Sequence, residues 1–270
     1  MPDGYGNILL EHMPAEALAA VKDELEHVEL KKLNIIAKPA EPIEHVYFVV
    51  DGILSVLSHL DAHRDVELGL IGREGMSGEA IVLDDDRSPF TMHVEMPGTA
   101  FRIPAAKLRS AMDEVVDLRR FLTCFVRAQV LQVASTAAAN QRGSVQERLA
   151  RWLLMGFDRV DFDNYRITHD ALAWLVGARR AGITDALHVL EGKGLIRSKR
   201  SDVTILDPAA LSDAAGGTYG IAEREYARLV GVDFRRNRRG KLLKDAPQLF
   251  MDKAAPEDMC PEQWTDEHME

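Results

Sequence analysis

The residues best suited to chemistry lie between Gly177 and Arg200, a segment much more basic than the rest of the chain. Six basic and two acidic residues give this segment a net charge of +4, whereas the 270-residue chain has a formal net charge of −10. Basic side chains at this density bind phosphates, and an arginine can also bind guanine O6 and N7. The six are Arg179, Arg180, Lys193, Arg197, Lys199 and Arg200. Such charge is typical of DNA binding, but also of a solvated helix face on a protein-interaction module.

Two short helices followed by a strand pair are predicted to position these basic residues. Thr168 can cap the first helix, Gly177 can form the tight turn, and Ile183 begins the buried face of the second helix. The following GLIRSKRSDVTILD predicts two strands, as a wing requires. We therefore expect a winged helix-turn-helix. Its predicted DNA-binding residues are Arg179, Arg180, Thr184, His188, Lys199 and Arg200.

A long helix is expected upstream of this domain, over residues 107–142. Apolar, small and glutamine residues recur at alternating spacings of three and four from Val115 to Ala139, which places them on one helix face. That face could pack on its own domain or on the same helix of a second chain, and its regularity favours a homodimer. Ser144 and Glu147 then form a predicted capping box at the start of the next helix.

The N-terminal part predicts an antiparallel β-roll, jelly-roll-like in form, giving an α+β fold class. Short runs rich in Val, Ile and Phe extend from about Leu33 to Ile103, with Asp51-Gly52 and Pro97-Gly98 as expected turns. One leading helix is expected over PAEALAAVKDELEHVEL, residues 14–30.

Other classes of protein lack support in the sequence. No uninterrupted apolar run approaches the roughly 20 residues of a membrane helix, and the N-terminus lacks secretory-signal features, so we expect a cytoplasmic protein with no membrane partner. The two cysteines, Cys124 and Cys260, cannot supply a four-cysteine iron–sulfur cluster within one chain. Phosphate-loop, HExxH and GxSxG motifs are absent from the sequence, so we expect neither an enzyme nor a metal site.

The order of these segments resembles the Crp/Fnr family of bacterial transcription regulators over about residues 7–231. The resemblance rests on HVYFVVDGILSV, GREGMSGE, SVQERLARWLLMGFDRV, LAWLVGARRAGITDAL and GLIRSKRSDVTILD, with a closing DPAALSDAAGGTYGIAEREYARLVG. It implies a cyclic-nucleotide-binding-type roll, a dimerisation helix and a winged helix that reads a palindromic operator in double-stranded DNA. RNA polymerase is a further candidate partner. Ala181 and Asp185 depart from the family's best-known recognition helix, so a different operator is expected.

The resemblance also implies candidate effector residues in the roll. Family members that bind cyclic nucleotides use a Gly-Glu pair for the ribose and an Arg-Ser or Arg-Thr pair for the phosphate; here these are Gly78-Glu79 and Arg87-Ser88. Ser135 and Thr136 on the long helix are further candidates. The short insert between the pairs and its three aspartates, residues 84–86, favour instead an acidic hairpin in which Arg87 pairs with its neighbours. A cyclic nucleotide is thus one candidate effector, and the sequence identifies no definite cofactor.

These patterns divide the chain into four predicted parts. They are an effector roll at 1–106, a dimerisation helix at 107–142, a DNA-binding domain at 143–231, and a charged, disordered tail at 232–270. The predicted function is a sequence-specific, homodimeric transcription regulator whose signal acts at the roll. The alternative is a non-catalytic effector-binding or protein-interaction protein whose helix-turn-helix does not read DNA.

Overall fold

The computed structural model describes residues 4–59, 65–160, 164–199, 202–236 and 242–243. Its helices are α1 Ile8–His12, α2 Ala15–Val21, α3 Glu79–Val82, α4 Ala105–Glu114, α5 Val116–Arg142, α6 Val145–Arg159, α7 His169–Val176, α8 Arg180–Gly192, α9 Pro208–Ala214 and α10 Ile221–Val230. Its strands are β1 Glu26–Leu30, β2 Ile35–Ala37, β3 His45–His59, β4 Asp65–Ile71, β5 Thr91–Pro104, β6 Asn164–Arg166, β7 Ile196–Lys199, β8 Asp202–Ile205, β9 Asp233–Arg236 and β10 Leu242–Leu243.

The N-terminal domain is an antiparallel sheet in the order β1-β5-β3-β4, with β2 also paired to β5. The α+β class and the antiparallel roll are therefore confirmed. The predicted leading helix is wrong after Val21: a 3₁₀ turn covers Lys22–Glu24, and β1 follows. Glu26 pairs with Arg102 and Leu30 pairs with Gly98, so sheet pairing overrides the helical preference of this segment.

Two predicted turns are instead irregularities within long strands. Both β3 and β5 run without a break through Asp51-Gly52 and Pro97-Gly98, and their register shifts there. A Cβ atom on Gly98 would lie 2.1 Å from the Asp51 carbonyl oxygen, and one on Gly52 would lie 2.5 Å from the Met96 carbonyl oxygen. The two glycines therefore allow the backbones to approach closely where the paired strands bend.

The predicted long helix is divided into α4 and α5 at Val115, whose backbone is extended. Leu118, Leu122 and Phe125 are at most 2% exposed and belong to the core of the roll, so the apolar half of the predicted dimer seam packs within its own chain. By length and composition alone α5 could cross a membrane. Because this face is buried against the roll, the first half of α5 is part of the protein core.

The C-terminal domain is a winged helix, as the sequence predicts. The three-stranded sheet has the order β6-β8-β7. Ser144 accepts a hydrogen bond from the Glu147 amide, and the Glu147 carboxylate accepts one from the Ser144 amide, so the capping box is confirmed. Thr168 caps α7, and Gly177 ends it with a left-handed backbone at φ 65°.

The segment after the winged helix returns to the roll. Tyr226 on α10 and Phe234 on β9 are at most 2% exposed and belong to the same apolar core as the roll and α5. Residues 232–235, which the sequence assigned to the charged tail, therefore lie in packed structure, where Asp233 binds Arg235. Residues 237–241 and 244–270 lie outside the described residues.

Candidate nucleic-acid interface and effector cavity

The helix α8 presents its polar face to solvent because its apolar face is held by the rest of the winged helix. Ile183, Leu187 and Leu190 are at most 1% exposed and pack in the core formed by α6, α7 and the wing. Arg180, Thr184 and His188 are spaced by four, so they share one side of the helix. Arg180 and His188 are exposed and Thr184 is half-buried.

The contacts around α8 leave Arg179 and Arg180 able to bind another molecule. Arg179 is exposed at the N-cap position. The Arg180 Nε atom lies 3.4 Å from a carboxylate oxygen of Asp170, but both side chains are about 70% exposed. Such a surface pair contributes at most about 1 kcal/mol, so it can exchange for a DNA contact at low cost. Thr184 donates to the Arg180 carbonyl oxygen, and its hydroxyl lies 3.0 Å from His169 Nδ1.

The wing extends the basic surface. Arg197 and Lys199 on β7 are exposed. The Ser198 amide donates to the Glu191 carboxylate at 2.9 Å, which joins the wing to the end of α8. Arg200 lies outside the described residues. Of the predicted DNA contacts, the structure thus brings Arg179, Arg180, Thr184 and His188 together on α8 and places Lys199 on the adjoining wing.

A cavity of about 260 Å³ lies between the roll and α5. It is lined by Val56, Leu68, Gly69, Leu70, Ile71, Glu79, Leu83, Phe90, Val126, Gln129, Val130, Gln132 and Val133. Of the predicted effector residues, only Glu79 is among these. Ser88 is buried beside it and donates to its carboxylate at 3.5 Å.

The other predicted effector residues lie elsewhere. Gly78 adopts the left-handed conformation that begins α3. Arg87 is exposed, donates to the Ala40 carbonyl oxygen at 2.5 Å and pairs with Asp86 at 3.3 Å, which is the acidic-hairpin arrangement. Thr136 donates to the Gln132 carbonyl oxygen and lines a smaller cleft beside α6, while Ser135 is half-buried. Among the described residues, no cluster of His, Cys, Asp or Glu side chains is suited to hold a metal ion.

Each of the two domains matches the model of a known protein family. The family model for the cyclic nucleotide-binding domain matches residues 27–115, and that for the Crp-like helix-turn-helix domain matches residues 147–214. Together they cover more than half of the chain, in the order that the structure shows. The chain belongs to the Crp/Fnr family.

The chain is similar to several proteins over about three quarters of its length. The global nitrogen regulator of Synechococcus elongatus is 22% identical over 205 residues, which are 72% of this chain and 92% of that protein. A CRP-like cAMP-activated global transcriptional regulator of Mycobacterium tuberculosis is 22% identical over 214 residues, 77% of this chain and 96% of that protein. A Crp/Fnr-family regulator from Eubacterium rectale has the same fold, with a TM-score of 0.60 at 20% identity, covering 77% of this chain and 98% of that one.

In this Crp/Fnr chain the two domains are joined by buried polar contacts that the sequence did not reveal. The Glu67 carboxyl group on β4 accepts hydrogen bonds from the Ser55 hydroxyl and from the Trp152 indole, both at 2.7 Å. Ser55 and Glu67 belong to the roll, whereas Trp152 lies on α6. Burial raises the pKa of Glu67 from 4.5 to about 8; the two hydrogen bonds lower it, and repulsion from Glu95 raises it.

An ion pair forms a second contact between the domains. Arg159 on α6 and Glu74 in the roll are both at most 3% exposed, and their Nε and Oε1 atoms are 2.8 Å apart. Burial lowers the pKa of Arg159, but the negative charges of Glu74, Glu223 and Asp158 outweigh it and raise the pKa above the usual value. The Tyr226 hydroxyl donates to the Glu74 carbonyl oxygen at 2.7 Å, so α10 also contacts the residue that binds Arg159.

The long helix contributes a third contact. The Gln132 side chain accepts a hydrogen bond from the Leu70 amide at 2.7 Å and donates one to the Leu70 carbonyl oxygen at 3.1 Å. Arg151 on α6 donates to the Gln132 carbonyl oxygen at 3.2 Å. One signal in the sequence could have suggested this role: Gln129 and Gln132 interrupt an otherwise apolar or small helix face.

Proposed function

We propose that this Crp/Fnr protein is a sequence-specific DNA-binding transcription regulator that acts as a homodimer on a palindromic operator, under the control of a signal received at the roll. The observation that carries the proposal is α8, whose apolar face is buried while Arg179, Arg180 and His188 remain exposed. A helix with this arrangement can enter the major groove with its side chains directed at base edges. The named relatives are a global nitrogen regulator and a cAMP-activated global transcriptional regulator.

A homodimer requires a free surface on α5 other than the buried predicted seam. Val130 and Val133 are 52% and 40% exposed, and Ala134 and Ala137 extend the same apolar surface toward the end of the helix. Two copies that pair through this surface would present two α8 helices to successive major grooves, which matches a palindromic site. We place the protein in the cytoplasm, where DNA is available, and RNA polymerase remains a predicted further partner.

Genomic DNA fragments recovered by the purified full-length chain would test the proposal and supply the operator. Gel shifts on that operator and on a scrambled sequence, over a salt series, then separate specific from non-specific binding. We expect a steep loss of affinity with salt because phosphate contacts release counterions. Absence of a sequence-preferring complex even at low salt would refute the regulator and favour a protein-interaction role for the helix-turn-helix.

Two variants divide the predicted contacts into base and phosphate contacts. Arg180→Ala should weaken operator binding by roughly 5- to 150-fold, the range for losing one bidentate base contact, with a smaller effect on scrambled DNA. Lys199→Ala should weaken binding to both DNAs and reduce the slope of log affinity against log salt concentration by about one. Arg102→Ala, on the roll, is the charge-matched control and should leave both unchanged. Equal losses for Arg180→Ala on the two DNAs would assign Arg180 to phosphate instead.

A further inference from the structure

The outward face of α8 carries an acidic side chain, although the surrounding segment is basic. The buried line of the helix consists of residues spaced by four and then three, namely Ile183, Leu187 and Leu190. A second line has the same spacing two residues earlier and is fully exposed: Ala181, Asp185 and His188. Two residues turn a helix by about 200°, so the second line lies opposite the first. Asp185 is therefore at the middle of the surface that points away from the domain core.

Asp185 differs in its contacts from the other acidic residue of α8. The Glu191 carboxylate accepts a hydrogen bond from the Ser198 amide at 2.9 Å, so it is used within the wing. Neither a hydrogen bond nor an ion pair joins the Asp185 side chain to another of the residues that the structure describes. Arg180, on the same helix, pairs with Asp170 on α7 instead. The Asp185 carboxylate is thus free to accept from a donor on another molecule.

A carboxylate at this position opposes binding to most of the DNA surface. The phosphates are anions and repel it. In the major groove, guanine N7 and O6, adenine N7 and thymine O4 are acceptors, to which a carboxylate cannot hydrogen-bond. The donors there are the amino groups at cytosine N4 and adenine N6. Asp185 therefore lowers the affinity for every sequence that does not place an amino group against it, which is selection by rejection of the wrong partner.

The groups beside the two amino groups favour cytosine. Adenine N6 has the acceptor N7 of its own base on one side and thymine O4 on the other. The second oxygen of a carboxylate would meet an acceptor whichever way it turned. Cytosine N4 has an acceptor, guanine O6, on one side and a carbon-bound hydrogen on the other. A carboxylate can therefore accept from cytosine N4 while its second oxygen points away from other acceptors.

The residues one turn before Asp185 allow this short side chain to reach the bases. A helical side chain leans toward the N-terminus of its helix, so Asp185 covers the turn that contains Ala181. Ala181 has only a methyl group, and the next residue, Gly182, has no side chain. The backbone of α8 can approach the base edges at this turn because no large side chain lies between them.

We infer that Asp185 is a specificity-determining residue, whose carboxylate accepts a hydrogen bond from the N4 amino group of one cytosine in each half of the operator. The inference rests on the proposed function, because it names a base that the helix-turn-helix of the regulator reads. Two copies of the chain on a palindromic site would each read one such cytosine.

Selection from a pool of palindromic DNA with random half-sites tests this inference on the full-length protein. The unchanged chain should select cytosine at one position of the half-site. Asp185→Ala should accept all four bases there, because the carboxylate is gone. Asp185→Asn should select adenine there, since an amide binds adenine N6 and N7 together. Asp213→Asn, at an exposed aspartate on α9, is the charge-matched control and should still select cytosine.

Gel shifts on the selected operator measure the size of the effect. Replacing the selected C·G pair by T·A should weaken binding by the unchanged chain by about 5- to 150-fold, since the carboxylate then faces thymine O4. The same replacement should change the affinity of Asp185→Ala by less than about twofold, because its side chain makes no polar base contact. On scrambled DNA, Asp185→Ala should bind more tightly than the unchanged chain, because one repulsion from phosphates is removed.

Three results would overturn the inference. They are a half-site with no cytosine preference, a cytosine preference that Asp185→Ala retains, and an adenine preference in the unchanged chain that Asp185→Ala loses. The same selection separates this failure from that of the regulator. A chain that selects an operator without such a cytosine refutes only the reading by Asp185, whereas a chain that selects no sequence refutes the proposed function.

Discussion

The buried carboxyl group of Glu67 gives the contact between the roll and the winged helix a pH dependence. This side chain joins Ser55 in the roll to Trp152 on α6, and burial raises its pKa from 4.5 to about 8. The change Glu67→Gln keeps an oxygen that can accept from Trp152 and an amide that can donate to Ser55, but it removes the titrating proton. We expect this variant to fold and to lose the pH dependence that Glu67 confers.

The sign and size follow from proton linkage. Below pH 4.5 the carboxyl is protonated in both the folded and the unfolded chain. As the pH rises from 4.5 toward 8, the unfolded chain releases a proton that the folded protein keeps, so the free energy of unfolding falls by about 1.4 kcal/mol per pH unit. Above about pH 8 the dependence from this group ends. The stabilisation by Glu67 is thus complete below pH 4.5 and lost by about pH 8.

Urea unfolding at pH 6 and pH 8 measures this effect. Relative to Glu67→Gln, the unchanged protein should lose about 2–3 kcal/mol more between the two pH values. Glu29→Gln, at an exposed glutamate of the same sheet, is the matched control and should behave as the unchanged protein does. Parallel losses in the unchanged protein and Glu67→Gln would refute the assignment of a protonated, buried carboxyl at this contact.

Two further changes test other contacts of α6. Arg159→Met leaves Glu74 as a buried, unpaired charge and should lower the unfolding free energy measured in urea by about 3–5 kcal/mol. A second change, Glu74→Gln, should recover much of this loss. A loss below about 1 kcal/mol would show that the pair is not buried in solution. Ser144→Ala removes one half of the capping box and should lower the unfolding free energy by about 1 kcal/mol, and no change would mean that the start of α6 is held by packing alone.

Local sequence signals predicted the winged helix well because each of its parts is specified by nearby residues. Ser144 and Glu147 fix the start of α6, and Thr168 and Gly177 bound α7. The apolar spacing of Ile183 and the later leucines correctly predicted which face of α8 is buried. These features depend on backbone hydrogen bonding and on a helical period, both of which act within a few residues.

The helix seam and the roll were predicted less well because their form depends on distant residues. The period on α5 showed that one face is buried, but periodicity does not say by what; here the roll covers Leu118 and Phe125. Likewise, Asp51-Gly52 has the composition of a turn, and only the opposing Gly98 shows that the strand continues through it.

The candidate sites also differ in how well nearby sequence predicted them. The basic face of α8 could be predicted because a helix carries its own geometry. The effector residues could not be transferred by motif, because Arg87 donates to the Ala40 carbonyl oxygen, 47 residues away, and does not line the cavity. The contacts of Glu67 with Trp152 and of Arg159 with Glu74 join residues 85 apart, with no local pattern between them.

The pairing of Gln132 with Leu70 also covers part of the edge of the roll sheet. The strand β4 is the last in the order of the roll sheet, and an edge strand offers free amide and carbonyl groups to any other chain. The Gln132 side chain takes both groups of Leu70, as a neighbouring strand would, and Gly69 gives it room, since a Cβ there would lie 2.4 Å from the amide oxygen. The helix α5 thereby protects the sheet edge against strand addition and aggregation.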